Sequence, residues 1–256
     1  MRLIRRLLDL GLAGVLVVLS PVVSPAQQDF NPTPLTNLDT EKIEQIARQT
    51  TVRIFTNNAS GSGVIIARRG ETYTVLTNWH VVGFNEQPKL MTSDGRRYRI
   101  INRLTQLGNV DLAVVQFRSF IHYKVAAISS ELPISGEPVY VAGFPMYAED
   151  RVNTTFDQGI KAFRFTQGLV SLLAPKPLYQ GYRLGYTNHI SIGMSGGSIL
   201  NQKGQLVGIN GRVKNRDPDF GVYSFEDGTE PHPLLLEQMM TSSWGIPIST
   251  YLKLRS

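Results

Sequence analysis

The chain has 256 residues, 42% hydrophobic and 18% charged, with a formal net charge of +6. That length allows one large domain or two small ones, and that composition excludes a disordered or fibrous chain. Cys is absent, which excludes a disulfide scaffold, a cysteine nucleophile and a Cys-ligated metal; the four histidines, His80, His122, His189 and His232, are too far apart in sequence to make a helical two-histidine zinc motif. No metal or cofactor is expected.

The chain opens with Arg2, Arg5 and Arg6, then a 14-residue apolar run over 10–23, then Ser24-Pro25-Ala26. A positive stretch, a short apolar stretch and a small-x-small site form an export signal, with cleavage after Ala26 and a periplasmic or secreted product. The run is shorter than the ~20 residues a membrane span needs, so no stable membrane insertion is expected after cleavage; an uncleaved anchor is the alternative. Loss of this segment removes three arginines and Asp9, and no Lys/Arg block remains, so a nucleic-acid partner is not expected.

Residues 27–38 are polar with two prolines and read as a linker. Asp39 or Thr40 caps a short helix carrying Ile43, Ile46, Ala47 and Thr50 at helical spacing. From there β-branched and aromatic runs alternate with turn residues, predicting strands over 52–55, 63–67, 73–78, 89–92, 97–104 and 112–117. Asp94-Gly95 supplies a two-residue hairpin turn. After a polar stretch over 129–137 the style repeats, with strands over 139–143, 163–173, 183–186, 198–200 and 206–213. Many short strands flanking one polar stretch predict an all-β chain of two antiparallel six-stranded barrels, about 50–125 and 137–250. The tail from 216 to 256 reads as irregular, with a helix over 234–240.

Three separated residues suggest one chemistry. In Gly193-Met194-Ser195-Gly196-Gly197 the glycines let the backbone bend sharply, so that the N–H groups of Gly193 and Ser195 can point at one oxyanion. A serine hydroxyl needs a base, and His80 follows the strand over 73–78. The base needs an orienting group, and Asp111 heads the apolar run Asp111-Leu112-Ala113-Val114-Val115. Taken singly these read as a turn, a structural histidine and a turn aspartate. Together, in the order His, Asp, Ser, they match the chymotrypsin arrangement and place His80 and Asp111 in the first barrel, Ser195 in the second. Gly193-x-Ser195-x-Gly197 also fits a nucleophile elbow with Asp217 or Asp219 and His232, but that fold needs a helix after the serine where this sequence shows strand, turn, strand.

On these residues the chain resembles the trypsin-like serine endopeptidases, and most nearly the bacterial, disulfide-free HtrA/Deg type. The resemblance also runs through Ser60-Gly61-Ser62-Gly63-Val64-Ile65-Ile66, Thr77-Asn78-Trp79-His80-Val81-Val82, Phe165-Thr166-Gln167-Gly168-Leu169-Val170-Ser171 and Gly204-Gln205-Leu206-Val207-Gly208-Ile209-Asn210, covering about 50–213. It implies a peptidase domain over 39–256 with a peptide or protein substrate. His80 becomes the general base, Asp111 its orienter, Ser195 the nucleophile, and Gly193 and Ser195 the oxyanion donors. Ile209, Asn210, Gly211 and Arg212 would pair with the substrate backbone, and Thr187-Asn188-His189 would line the primary pocket, where His189 and Arg212 suit an acidic or polar side chain; the plainer reading is a surface histidine and a solvated arginine. Met194 stands where digestive trypsins carry an aspartate, so their N-terminal activation ion pair is not expected, and 212–256 departs from the HtrA pattern. A catalytically latent module that binds peptides or partner proteins is the alternative.

Overall fold

The computed structural model describes residues 38–255 except 58, 85, 86 and 149–151. The export signal and nearly all of the linker expected upstream lie outside the described residues. Helix α1, Thr40–Thr50, is capped by the Asp39 side chain, which accepts from the Lys42 N–H (2.8 Å). Its Ile43 and Ala47 are buried in the main apolar cluster.

Six antiparallel strands follow: β1 Thr51–Phe55, β2 Ser60–Arg69, β3 Thr72–Thr77, β4 Lys89–Met91, β5 Arg97–Arg99 and β6 Ala113–Arg118, in the order β5-β4-β1-β2-β3-β6. A four-residue helix, α2 Trp79–Val82, sits between β3 and β4 and carries His80. The strand expected over 97–104 stops at Arg99, because the chain leaves β4 and crosses to the other edge: Ile101 N–H donates to the Gln116 carbonyl of β6 (2.9 Å). This bends the sheet into a half-barrel. The second half is a closed barrel of β7 Pro138–Gly143, β8 Arg164–Leu173, β9 Leu184–Tyr186, β10 Ser198–Leu200, β11 Leu206–Arg212 and β12 Ser243–Pro247, ordered β10-β11-β12-β9-β8-β7. Helix α3, Pro233–Met240, precedes β12, and α4, Ile248–Leu254, follows it.

The near-continuous apolar runs make sense once both faces of a strand are seen to be covered. Val139 and Val141 of β7 point into the second barrel with Leu184, Tyr186 and Ile199. Their neighbours Tyr140 and Ala142 point out, into a cluster that also takes Val64 and Leu76 from the first sheet. Val75 and Tyr73 of β3 face the first sheet's own interior with Val52, Ile54 and Phe117. The two barrels therefore share a packed seam.

The tail is more regular than its sequence implies. β12 contains Gly245 and ends at Pro247, which mask a strand locally, yet it pairs with both β9 and β11 and closes the barrel. Its Trp244 is fully buried and its indole N–H donates to the Met239 carbonyl at the end of α3 (3.0 Å). Trp244→Ala should lower the unfolding free energy by ~3–5 kcal/mol, the cost of emptying an aromatic core site, as read from urea unfolding; a change within 1 kcal/mol would show that β12 is dispensable to the barrel.

Candidate active site

Asp111 is a buried polar group held from both barrels at the seam. Only 2% of its side chain is exposed, against 43% for His80. Its Oδ1 accepts the His80 backbone N–H (2.9 Å), and its Oδ2 lies 2.6 Å from His80 Nδ1. A second-barrel donor, the Tyr182 hydroxyl, also reaches Oδ2 (2.5 Å). The peptide around Asp111 is pinned as well: its N–H donates to the Gln180 carbonyl (2.9 Å), and Asn78 Nδ2 donates to its carbonyl (2.8 Å). Burial pushes the Asp111 carboxyl up, but hydrogen bonds and charge from His80, together with the Tyr182 bond, outweigh it and hold the group below the ordinary carboxylate value. The carboxylate thus fixes the imidazole with Nδ1 engaged, which turns the other ring nitrogen outward.

Ser195 lies across the same cleft. It lines, with His80 and Asp111, a cavity of about 670 Å³. Its Oγ donates to the Gly211 carbonyl (3.0 Å), and no hydrogen bond joins it to His80 among the described residues. The loop beneath it is held from the first sheet by Ser62. Ser62 N–H donates to the Ser195 carbonyl (2.8 Å) and Ser62 Oγ donates to the Gly193 carbonyl (3.0 Å), while Phe144 N–H donates to Ser62 Oγ (2.8 Å). Gly196 sits at φ +86°, and a Cβ there would meet the Ser62 carbonyl oxygen at 2.0 Å, so only glycine allows the approach. Met194 is buried in the second barrel, and its carbonyl accepts from Asn210 Nδ2 (2.8 Å). Packing and polar bonds thus seat this loop without an ion pair.

The Ile192 carbonyl accepts from Met146 N–H (2.7 Å), so the opposite side of that trans peptide turns Gly193 N–H away from Met146. Neither Gly193 N–H nor Ser195 N–H is engaged by another described residue. Two unengaged amides flank the serine, as an oxyanion site requires.

The remaining expected site residues are divided. Gly211 and Arg212 line the cavity. Ile209 and Asn210 do not: Ile209 is paired with both Ser198 and Ile246, and Asn210 exchanges backbone bonds with Gly196 and Gly197, so neither has a free edge for another strand. His189 is exposed and lines a different cavity of about 280 Å³ with Pro145, Thr166 and Met194. The chain after β9 turns toward β8 there, through Thr187 N–H to the Leu169 carbonyl (2.9 Å) and Asn188 Nδ2 to the Thr166 carbonyl (2.9 Å). Arg212 is 7% exposed, not solvated, and donates to the Val222 and Tyr179 carbonyls (2.9 Å each), so it is no open counter-ion for an acidic group. Ser62 and Tyr182 were not singled out by sequence reasoning. Ser62 lies within the glycine-rich stretch 60–66, and nothing local marks Tyr182.

Paired antiparallel barrels with the site at their seam are the architecture of the chymotrypsin-type serine peptidases. The family model for the trypsin-like peptidase domain matches residues 61–209, and the chain belongs to that family. It is 32% identical over 158 residues to the serine protease Do-like HtrA of Lactococcus lactis subsp. cremoris (strain MG1363), covering 59% of this chain and 37% of that protein. It is 28% identical over 157 residues to the serine protease HtrA-like protein of Staphylococcus aureus (strain bovine RF122 / ET3-1), covering 58% of this chain and 19% of that one. The chain thus spans well under half the length of these curated relatives. Its fold matches the crystal structure of the serine endoprotease from Yersinia pestis with a TM-score of 0.58 and 23% identity, covering 85% of this chain and 65% of that one.

Ser62→Ala removes the hydroxyl that joins Phe144 to Gly193. It should slow fluorophosphonate labelling of Ser195 about tenfold, the worth of one buried hydrogen bond at ~1–1.5 kcal/mol, while the melting temperature falls by only about 2–6 °C. Labelling at the wild-type rate would show that the loop does not depend on this bond.

Proposed function

We propose that the chain is a serine endopeptidase that works outside the cytoplasm, cutting peptide bonds through an acyl-enzyme on Ser195. The observation that carries this is the 2.6 Å contact of His80 Nδ1 with a buried Asp111 carboxylate at the cavity that Ser195 also lines. In this reading Ser195 Oγ turns from the Gly211 carbonyl to the free nitrogen of His80, gives up its proton there and attacks the scissile carbonyl. Negative charge on that oxygen is met by Gly193 and Ser195 N–H. His80 returns the proton to the leaving amine, and water repeats the sequence to release the acid. The N-terminal signal pattern supports export, and a chain with no Cys needs no disulfides in such a compartment.

Substrate selection follows the cavity walls. Ile192, Val213 and Val222 are apolar, and the aromatic Tyr179 and Phe220 are exposed beside them. Arg212 spends its donors on carbonyls, and exposed Arg216 is the remaining cation of the lining. An apolar side chain before the cut fits such walls. A peptide library should show cleavage after apolar residues at least ~10-fold over Asp or Glu, the scale of one well-filled apolar site; a preference for acidic residues would reverse the assignment.

A second reading keeps the site but leaves it latent until a partner binds. The Ser195 bond to Gly211, in place of one to His80, favours it as a resting state. Labelling by a fluorophosphonate separates the two, since a latent serine takes no label while the protein is folded. For the active enzyme, Ser195→Ala should lower kcat by ~10⁴–10⁶. Near-full activity in that variant would remove Ser195 from the mechanism.

A further inference from the structure

We propose that Tyr182 is a positioning residue of the catalytic pair: its phenol completes the hydrogen-bond shell of Asp111 from the second barrel, and position 211 is glycine to admit it. The proposal rests on the reading of His80, Asp111 and Ser195 as a triad.

The local backbone is shaped for this contact. Tyr182 follows a tight turn, Tyr179–Gly181, closed by Gly181 N–H donating to the Leu178 carbonyl (2.9 Å). Within it Gln180 has φ +65°, a left-handed conformation costly for a residue with a side chain. Gly181 follows at φ +85°, where a Cβ would lie 2.7 Å from Val110. The result is that Gln180 presents its carbonyl to Asp111 N–H while Tyr182 presents its hydroxyl to Asp111 Oδ2. One strained turn therefore grips both the backbone and the carboxylate of the same residue across the seam.

The opposite wall agrees. A Cβ on Gly211 would fall 2.3 Å from the Tyr182 hydroxyl oxygen and 2.5 Å from its ring edge, so the phenol fills the space a side chain at 211 would take. Arg212 lies over the ring at 3.9 Å and is itself tied to the Tyr179 and Val222 carbonyls, which clamps the ring in place. Burial first, and the Asp111 charge second, push the Tyr182 phenol well above its ordinary value, so it stays protonated and donates wherever the enzyme works.

Oδ2 thus has two donors, His80 Nδ1 and the phenol. The phenol draws off part of the carboxylate charge that would otherwise hold an imidazolium. Without it, the charge concentrates on Oδ2, protonated His80 is held more tightly, and the neutral base is reached only at higher pH. Of the other charged or titratable groups, Arg212 from β11 and Tyr186 from β9 act on the phenol, and Arg216, beyond β11, acts on Arg212 and lines the same cavity as His80 and Asp111.

The test measures the rate of Ser195 labelling by a fluorophosphonate against pH in the wild type, in Tyr182→Phe, and in protein with 3-fluorotyrosine placed at 182, whose phenol is a stronger donor of nearly the same shape. Tyr182→Phe should lower the plateau rate about tenfold, as for a lost hydrogen bond to a charged group, and move the acid limb up by about half a pH unit or more. The fluorotyrosine protein should move that limb the other way. Acid limbs that coincide in all three proteins overturn the proposal, since a phenol that only fills space moves neither. If Tyr182→Phe fails to fold, the fluorotyrosine protein alone decides by the direction of its shift. If folded wild type takes no label, the peptidase reading fails by itself; the NMR titration of the His80 ring in the same proteins then decides the role of Tyr182, with shifts in these two directions supporting it and coincident midpoints overturning it.

Discussion

A buried carboxylate must have its oxygens occupied by donors, and Asp111 meets that demand only when both barrels are folded against each other. The first barrel supplies His80 twice, through ring and backbone, and the second supplies Tyr182. Asp111 N–H in turn needs the Gln180 carbonyl. Separating the barrels would strip a charged group of part of its shell, so the seam that holds His80, Asp111 and Ser195 is also a point where the fold cannot relax. The imidazole inherits its direction from this arrangement.

The loop that carries Ser195 obeys the same logic with weaker pieces. Where an ion pair could have locked it, Met194 buries its side chain in the second barrel and leaves its carbonyl to Asn210. Ser62 reaches from the first sheet to the carbonyls on either side of Met194. Each bond is worth only about a kilocalorie per mole. Together they seat the loop so that Met194 N–H donates to the Ser191 carbonyl, while the Gly193 and Ser195 N–H groups on either side of it are engaged by no other described residue. Both halves of the site therefore depend on contacts that cross the seam in opposite directions.

With no cysteine to cross-link it, the chain relies on covering both faces of its strands. That explains why runs such as 139–143 are apolar at successive positions and do not alternate. It also explains β12: Gly245 lets a strand lie close to Ile199 and Ile209, and Trp244 fills the space beyond.

The strand order of types, the polar divide between halves and the order His80, Asp111, Ser195 were legible in the sequence, because they depend on local periodicity, turn residues and short glycine-flanked motifs. The Asp39 cap and the start of α1 were legible for the same reason. What the tertiary structure alone decided was pairing between distant segments. It ended β5 at Arg99 by offering β6 as a better partner, and it made a strand of 243–247 against the local evidence of Gly245 and Pro247. It removed Ile209 and Asn210 from any free edge, took His189 to another cavity, and turned Arg212 from a solvated charge into a clamp over Tyr182. Tyr182 itself carries no local sign of its place, since a tyrosine before a strand is ordinary until the fold brings a buried carboxylate within 2.5 Å of it.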